Sequence, residues 1–482
     1  MPSLKQVVAN LEFYLGSWLD LAHGLHGFIV DPRHVQLAVI APDCVSQATL
    51  LLGHLNLFEK TQQQKYLEQA MKEAEWLLAN YIWETNFFYN SCFEHKPASS
   101  EAYATLFGNA YATLALVRLC NVLKKQNANY TRFFNVAKNN IERFIIARCW
   151  DSKRTFLEFS YDERVFNLSS ASTTIRALLE YAKLTQNESL IGEYCIPASK
   201  QILRWQYKDG CFTLDEKDEF APLFHCALTV KGLMELYKHK KDDVLFDRIK
   251  DAAGFIAKNV HPKENLFYYG YHGDFFLKFP LYIAQSAVIA SVLKQFSGFK
   301  LKFDVADNVL ASVYAKQYGN GALPSFNSFC NVLDKTKTMK SKRTHWQDVL
   351  PCPCWNAFAF EYLTELLPAN SDIPLSTATF PCNYEASDYS IKERDSTLVF
   401  FAKDGSLAAK WFKRHDTWLF GKLYTTKRPK KERPTVEKEE LKEEHAKPEK
   451  PKKPKRKAKR KKAARRKPTK QKKPLFGFLF KK

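Results

Sequence analysis

The sequence contains no uninterrupted apolar run that approaches the roughly 18 residues of a membrane-spanning helix. Its first residues, MPSLKQVVANLEFYLGSWLD, lack the basic region, apolar run and cleavage site of a secretory signal peptide. The 11 cysteines have no regular spacing, and their odd number argues against a framework of disulfide bonds. These absences predict a cytoplasmic protein whose cysteines are reduced.

The sequence also lacks a recognisable metal site. Cys352 and Cys354 lie close together in PCPCWN, but a structural zinc site takes four ligands. No second pair of Cys or His residues accompanies them at a workable spacing. We therefore expect no metal and no cofactor.

Excess positive charge is absent from most of the chain. The net charge is +22, but residues 427–482 hold 26 Lys and Arg against 7 Glu, which leaves only +3 for residues 1–426. This tail has almost nothing to bury, so we expect it to be disordered. Its stretch PKKPKRKAKRKKAARRKPTKQKKP could bind nucleic acid without sequence preference or an anionic membrane, could direct nuclear import, or could simply be solvated.

The rest of the chain repeats one unit, which consists of an apolar helix, a polar turn, a second apolar helix and an aromatic loop. The five loops are YIWETNFFYN, CWDSKRTFLEF, WQYKDGCFTL, VHPKENLFYYGY and YGNGALPSF. The first helices are predicted to begin near Cys44, Glu101, Ser169, Pro222 and Pro280, with a sixth near Pro353. The sixth helix lacks a partner, and so does the helix that begins the chain. If these two pair, twelve helices close into a ring.

In such a ring one set of helices lines the inside in parallel and the other set wraps the outside. Every aromatic loop then comes to the same end, which we call the mouth. In WQYKDGCFTL, the Asp209-Gly210 turn reverses the chain, because Gly210 is free to adopt a positive φ. We expect this turn to place Phe212 over the mouth.

This pattern resembles the (α/α)6 toroid of six-hairpin glycosidases, sugar epimerases, polysaccharide lyases, terpene cyclases and protein prenyltransferases. The resemblance covers roughly residues 1–367 and implies an all-α ring, residues 1–370, closed by the N-terminal helix. It implies a fold and leaves the activity open. An open helical solenoid and a ring with a different number of hairpins are the alternatives.

The stretch from Gln206 to Phe212 also resembles the glutamine-to-aromatic repeat of terpene cyclases and prenyltransferases. Gln206, Asp209, Gly210 and Phe212 match that repeat. The Asp-x-Asp-Asp motif of a protonating cyclase is absent, and the Asp, Cys and His set of the prenyltransferase zinc site has no clear counterpart. The match therefore supports the fold and not an isoprenoid substrate.

Residues 371–426 have a different pattern from the helical ring. Turn signals divide them into a linker and three short strands at 397–402, 406–413 and 417–423, in which β-branched and aromatic residues alternate with polar ones. A three-stranded antiparallel meander is marginal alone. We therefore expect it to pack on the ring.

Four residues near the starts of the inner helices are candidates for catalysis: Asp43, Glu101, His225 and Asp348. Ring closure makes the first and sixth inner helices neighbours, so Asp43 and Asp348 could form the carboxylate pair of a glycosidase. His225 could be the proton-transfer base that an epimerase needs, with His272 or His345 as its partner. The alternatives are an N-cap for Asp43, a dipole interaction for Glu101, a surface ion pair for Asp348 and a core role for His225.

The aromatic and polar residues predicted around the mouth suit a sugar, because flat aromatic faces stack on sugar rings. The candidates for substrate binding are Tyr89, Asp209, Phe212, Tyr268, Tyr269, Trp346, Trp355 and Asn356. The alternative is that these aromatic residues only exclude water from the end of the ring.

Three hypotheses follow from the resemblance and the mouth. The first is a carbohydrate-active enzyme, a hydrolase, lyase or epimerase, that acts on a small sugar or an oligosaccharide and carries a tail that binds polyanions. The second is a non-catalytic ring that binds a glycan or a protein. The third is an isoprenoid-handling ring. The sequence predicts no oligomeric state.

Overall fold

The chain divides into two units, Met1–Lys427 and Arg428–Lys482, and the second lies wholly outside the described residues. The predicted tail disorder therefore stays a prediction. A computed structural model describes residues 2–20, 24–25, 27–31, 36–40, 44–88, 104–153, 155–159, 164–214, 220–272, 275–318, 321–324, 353–378, 389–394, 397–402, 407–412 and 417–420.

Twelve α-helices occur in the described residues. They are α1 (Leu4–Trp18), α2 (Cys44–Thr61), α3 (Gln64–Ala79), α4 (Leu106–Lys125), α5 (Thr131–Asn139), α6 (Leu168–Thr185), α7 (Ile196–Arg204), α8 (Leu223–His239), α9 (Asp243–Lys258), α10 (Ala284–Lys294), α11 (Val305–Tyr314) and α12 (Pro353–Glu365). A π-helical segment, Asn140–Cys149, continues α5, and another, Ile191–Cys195, precedes α7. A 3₁₀ segment, Gln295–Phe299, follows α10.

The even-numbered helices form a closed inner ring. Each of them contacts the next, and α12 contacts α2 to complete the circle. The odd-numbered helices pack outside, in the pairs α2 with α3, α4 with α5, α6 with α7, α8 with α9 and α10 with α11, and α1 pairs with α12. The prediction of a six-hairpin toroid closed by the N-terminal helix is therefore confirmed.

Two inner helices begin later than the sequence predicts. Helix α4 begins at Leu106, where the Thr105 hydroxyl caps it by accepting from the Gly108 amide at 3.0 Å. Helix α10 begins at Ala284 because the preceding residues form an extended strand, Phe275–Leu281.

Helix α4 is also long and apolar enough, by length and composition alone, to cross a membrane. No such segment is expected from the sequence. Since 83% of the most apolar part of α4 is buried in the ring, its composition is that of an inner helix surrounded by other helices.

The strands are short and antiparallel. Five two-stranded hairpins pair β1 (Leu19–Asp20) with β2 (Gly24–Leu25), β3 (Gly27–Asp31) with β4 (Gln36–Ile40), β5 (Tyr81–Ile82) with β6 (Phe87–Phe88), β7 (Trp150–Asp151) with β8 (Thr155–Phe156), and β9 (Glu158–Phe159) with β10 (Arg164–Val165). A three-stranded sheet has the order β11 (Phe220–Pro222), β12 (Tyr268–His272), β13 (Phe275–Leu281).

The C-terminal sheet has four strands rather than the three predicted. They are β14 (Tyr389–Arg394), β15 (Thr397–Ala402), β16 (Leu407–Phe412) and β17 (Thr417–Phe420), in sequential antiparallel order. The additional strand, YSIKER, has only one aliphatic residue, so its sequence gives a weak strand signal. Strand β17 contacts β4.

The five predicted aromatic loops are tight reversals after outer helices. Each contains a residue with positive φ: Asn86, Thr155, Gly210, Asn265 and Gly321. At Gly210, where φ is 95°, a Cβ would also overlap the carbonyl group of Asp251. Each reversal leads to a fully buried apolar side chain: Phe88, Phe156, Phe212, Phe267 and Leu323. These side chains form part of the core and exclude water from the end of the ring.

Side chains of the inner helices fasten two of these loops. Asn109 of α4 accepts from the Phe88 amide at 2.8 Å and donates to the Phe88 carbonyl at 3.2 Å. Asn356 of α12 makes the same pair of bonds with Leu323, at 2.7 and 3.0 Å. A buried amide side chain at the fourth position of an inner helix therefore replaces the strand partner that the loop lacks.

The packing of α6 against α8 gives a test of the ring. Gly232 of α8 lies against the backbone of Ser172, so the Cβ of Gly232→Ala would overlap the Ser172 carbonyl group. We expect this substitution to lower the free energy of unfolding by about 1–3 kcal/mol, measured by urea denaturation. Gly254→Ala is the control, because nothing lies within 4 Å of its added Cβ. The control should be neutral or stabilising by up to about 1 kcal/mol. Equal effects of the two substitutions would contradict this account of the α6–α8 contact.

Candidate functional site

The first turns of the inner helices meet at one end of the ring. Phe107 of α4, His225 of α8 and Trp355 of α12 are half-buried there. The His225 ring centroid lies 6.4 Å from that of Phe107. These side chains are accessible parts of the mouth.

Fully buried aromatic side chains form a floor beneath the mouth. Phe224 contacts Trp355 and Phe358 edge to face, with ring centroids 5.1 and 5.3 Å apart. Tyr111 contacts Phe358 at 5.3 Å and Phe107 at 5.1 Å. Phe224, Phe358 and Tyr111 are at most 2% exposed, so this floor separates the mouth from the deeper axis of the ring.

His225 is held in one orientation and one tautomer. Its Nδ1 lies 2.9 Å from the Ser169 hydroxyl oxygen. The Ser169 hydroxyl donates its own hydrogen to the Asn167 side-chain oxygen at 2.8 Å, so the Nδ1–H group of His225 is the donor to Ser169. Nε2 then carries the lone pair, and it has no hydrogen-bond partner among the residues that the structure describes.

The surroundings of His225 keep its ring neutral. Burial among apolar side chains lowers the pKa of His225 to about 4, because a charged imidazolium would lose its hydration there. At neutral pH His225 is therefore uncharged, and its Nε2 carries an unprotonated lone pair.

A network of charged side chains crosses the axis below the aromatic floor. Arg176 of α6 donates to Glu235 at 3.2 Å and to Glu361 at 3.3 Å. The same guanidinium group lies 3.3 Å from the Tyr362 hydroxyl and 3.5 Å from the Tyr111 hydroxyl. The network therefore joins helices α4, α6, α8 and α12.

Lys231 of α8 extends the network towards the C-terminal ends of the inner helices. Its ammonium group lies 2.8 Å from Glu365, 3.1 Å from Glu235 and 2.8 Å from the Gln295 side-chain oxygen. Burial alone would raise the pKa of Glu235, but the neighbouring Arg176 and Lys231 lower it to about 2. Glu235 is therefore ionised over the whole physiological range.

Glu361 differs from the other carboxylates of this network. It is fully buried, and its Oε2 has no hydrogen-bond partner in the described part of the chain. Burial raises the pKa of Glu361 to about 7, although Arg176 acts in the opposite direction. A perturbed carboxyl group of this kind is typical of an active site, but the aromatic floor separates Glu361 from the mouth.

Two of the predicted site residues, His225 and Trp355, lie at the mouth, where each contacts Phe224. Phe212 and Asn356 are fully buried and offer no face to a ligand. Asp209 is exposed on its turn, where it accepts from the Cys211 amide at 3.0 Å.

The remaining predicted site residues divide into two groups. Tyr268 and Tyr269 are half-buried on β12. The candidates Asp43, Tyr89, Glu101, His345, Trp346 and Asp348 lie outside the described residues, and their roles stay predictions.

Sequence reasoning missed Ser169 as the partner of His225, and it missed the charged network. The network has a signal in the sequence, because Arg176, Lys231 and Glu361 each interrupt an apolar helix that should be buried on all sides. The pairing of Ser169 with His225 has no such signal, since it joins residues 56 positions apart. Within the described residues, no group of three or more His, Cys, Asp or Glu side chains could hold a metal ion.

Solved structures of other proteins share this architecture. A cellobiose 2-epimerase from Bacillus thermoamylovorans B4167 has a TM-score of 0.57 at 12% identity, over 75% of this chain and 98% of that one. A D-mannose isomerase has a TM-score of 0.58 at 14% identity, over 76% and 99% of the two chains. An unsaturated glucuronyl hydrolase specific for heparin has a TM-score of 0.54 at 13% identity, over 75% and 96%.

This chain has the (α/α)6 toroid fold. No protein-family model and no curated protein sequence matches the chain. The toroids that resemble it include carbohydrate-active six-hairpin enzymes, and identities of 12 to 14% show a common fold and not a common reaction.

The burial of His225 predicts how the free energy of unfolding depends on pH. Because its pKa is lowered in the folded state, the unfolded chain binds the proton first as pH falls. The stability that neutral His225 contributes is complete above about pH 6.5 and is lost as pH falls through about 4. Unfolding free energies between pH 7 and 4 should therefore fall less steeply for His225→Gln than for the unsubstituted protein. His239→Gln is the control, since His239 is exposed at the other end of α8. An NMR titration that gives His225 a pKa of about 6.5 would contradict this description of the mouth.

Proposed function

We propose that this toroid is a carbohydrate-active enzyme that binds a sugar at the mouth and uses His225 as a proton acceptor, as a sugar epimerase or isomerase does. The observation that carries the proposal is the fixed tautomer of His225. The Ser169 hydroxyl occupies Nδ1 at 2.9 Å, which leaves the accessible Nε2 as the base. Proton removal next to a sugar carbonyl needs such a base within hydrogen-bond reach of the substrate.

The rim of the mouth supports a sugar as the substrate. Phe107 and Trp355 are half-buried aromatic side chains at the mouth. The Phe107 ring lies 6.4 Å from that of His225, and Trp355 contacts Phe224, the chain neighbour of His225. A cellobiose 2-epimerase and a D-mannose isomerase have the same fold, so the toroid is compatible with this class of reaction. Hydrolysis of a glycoside, which also occurs on this fold, would instead require the carboxylate pair Asp43 and Asp348.

The test is hydrogen exchange at the carbon next to the sugar carbonyl. The full chain would be incubated in deuterated water with mannose, glucose, fructose and cellobiose, and proton NMR would follow loss of the C2 signal or the corresponding C1 signal. We expect exchange with one of these sugars, and a loss of about 10²- to 10⁴-fold in rate for His225→Asn, because the proton acceptor is removed. Ser169→Ala should lower the exchange rate less, because it removes the hydrogen bond that orients the imidazole but leaves the imidazole itself in place.

His239→Asn is the matched control for this experiment. It makes the same change on the same helix, at an exposed position paired with Glu188 at 2.9 Å, and should keep the full rate. A different result would overturn the proposal in favour of a hydrolase. In that case the protein would hydrolyse a glycoside without hydrogen exchange, His225→Asn would leave hydrolysis unchanged, and Asp43→Asn and Asp348→Asn would abolish it.

The aromatic floor favours one alternative, a toroid that binds a glycan without turnover. Tyr111, Phe224 and Phe358 fill the space below His225 and separate the mouth from the carboxylates of the charged network. On this alternative, calorimetry would detect saturable sugar binding, no sugar would exchange hydrogen, and His225→Asn would bind as the unsubstituted protein does.

We also propose that the enzyme is cytoplasmic and that its tail, residues 427–482, binds polyanions. The seven cysteines found in the described residues are free thiols, which supports a reducing compartment.

The density of Lys and Arg in the tail predicts salt-dependent binding through counterion release. Affinity for a single-stranded oligonucleotide should fall steeply between about 50 and 200 mM salt. Replacing every Lys and Arg of residues 452–467 by Gln should weaken binding and flatten the salt dependence. Fluorescence anisotropy would measure both, and an unchanged slope would contradict the assignment.

A further inference from the structure

A groove of about 740 Å³ lies on the outer surface of the ring, away from the mouth residues. Its walls come from α9, from the turn that follows α7 and from the turn that precedes α11. The residues that matter here are Lys208, Lys250, Gly254, Lys258, Lys302 and Phe303. We call this feature the flank groove.

The floor of the flank groove is a glycine on a helix. Lys250, Gly254 and Lys258 follow one another at intervals of four residues, so they lie on the same face of α9 over about 12 Å. Nothing lies within 4 Å of a Cβ built on Gly254, and packing therefore does not require a glycine there. A glycine inside a helix is destabilising relative to an alanine. Its effect at this position is to keep the groove open.

The flank groove has an excess of unpaired positive charge. Lys208, Lys250 and Lys258 are exposed and make no ion pair with any residue that the structure describes. Lys302 pairs with Asp304 at 2.8 Å on the surface. The lining also holds two carboxylates, Asp209 and Asp251, so its four lysines leave a net charge of +2. The groove is therefore complementary to a ligand with several negative charges.

A smaller cavity of about 280 Å³ continues the flank groove past Lys302 and Phe303. Lys300 adds a further exposed cation there. At the other end, the turn that contributes Lys208 also holds Tyr207 and Trp205, which are 50% and 39% exposed. Exposed aromatic rings next to spaced cations suit a chain of sugar rings with acidic substituents, because the C–H faces of sugar rings pack on aromatic rings.

We propose that the flank groove is a second binding site, which takes a carboxylated or sulfated oligosaccharide. The choice of an anionic ligand rests on the groove alone. The choice of a glycan rather than a nucleic acid rests in part on the proposed function of the ring. The spaced lysines bind the acid groups of the oligosaccharide, and Gly254 lets the oligosaccharide lie close to α9. His225 takes no part in this binding.

The test is lysine footprinting of the full chain, which separates this groove from the basic tail residue by residue. Acetylation of each lysine would be measured by mass spectrometry with and without a hexagalacturonate or a heparin hexasaccharide. We expect several-fold protection of Lys208, Lys250 and Lys258 by one of these probes. Lys72 and Lys153, which are exposed elsewhere on the ring, should keep their reactivity.

Two glycine variants make the test independent of charge. Gly254→Leu fills the floor, keeps every lysine and should lower the affinity of the groove at least tenfold. Gly192→Leu is the matched control, since Gly192 is exposed and a Cβ there also meets nothing within 4 Å. It should leave protection unchanged.

The outcomes also separate this site from the mouth. If the lysines stay protected in His225→Asn, the result supports a second site. This conclusion does not depend on whether the unsubstituted protein shows sugar exchange activity. Protection limited to the tail, or unaffected by Gly254→Leu, would overturn the proposal. Equal protection of the same lysines by an oligothymidylate would replace the glycan by a nucleic acid.

Discussion

The contact between α2 and α12 is the constraint on which the rest of the structure depends, because it turns a row of helical hairpins into a ring. The Asn56 amide donates to the Glu361 carbonyl at 2.9 Å and to the Thr364 hydroxyl at 3.2 Å, across 305 positions of sequence. Gly53 lets the Phe360 ring lie directly on α2. Once these helices meet, six parallel inner helices enclose an axis that must be filled, and their first turns must converge on one mouth.

The axis is filled in two layers with different chemistry. Aromatic side chains such as Phe224 and Phe358 fill the part nearest the mouth, where partial positive charge from the helix N-termini converges. Carboxylates paired with Arg176 and Lys231 fill the part towards the C-termini. A buried ion pair adds little net stability compared with apolar packing. The arrangement instead requires four helices to keep one register, since a displaced helix would leave a buried charge unpaired.

The sequence predicts most of the helical ring but few of the contacts that form the candidate site. Apolar periodicity identified the hairpins, and turn residues such as Gly210 identified the reversals, because both depend on neighbours within one helix or loop. The Ser169–His225 bond and the contacts of Arg176 join helices that are distant in sequence. Only the closed ring determines which side chains meet, so local patterns could not predict these pairs. The local sequence pattern also predicts that Phe212 faces a ligand, whereas in the ring this side chain is fully buried in the core.

The mouth and the flank groove differ in what they can recognise. At the mouth, the described polar side chains are neutral: a histidine whose charge burial opposes, a serine and an asparagine. Such a site can orient hydroxyl groups and remove a proton, but these three side chains offer no cation for an acid group. The unpaired lysines along α9 offer that cation. The two proposals therefore assign neutral sugar chemistry to the axis of the ring and recognition of charge to its outer surface.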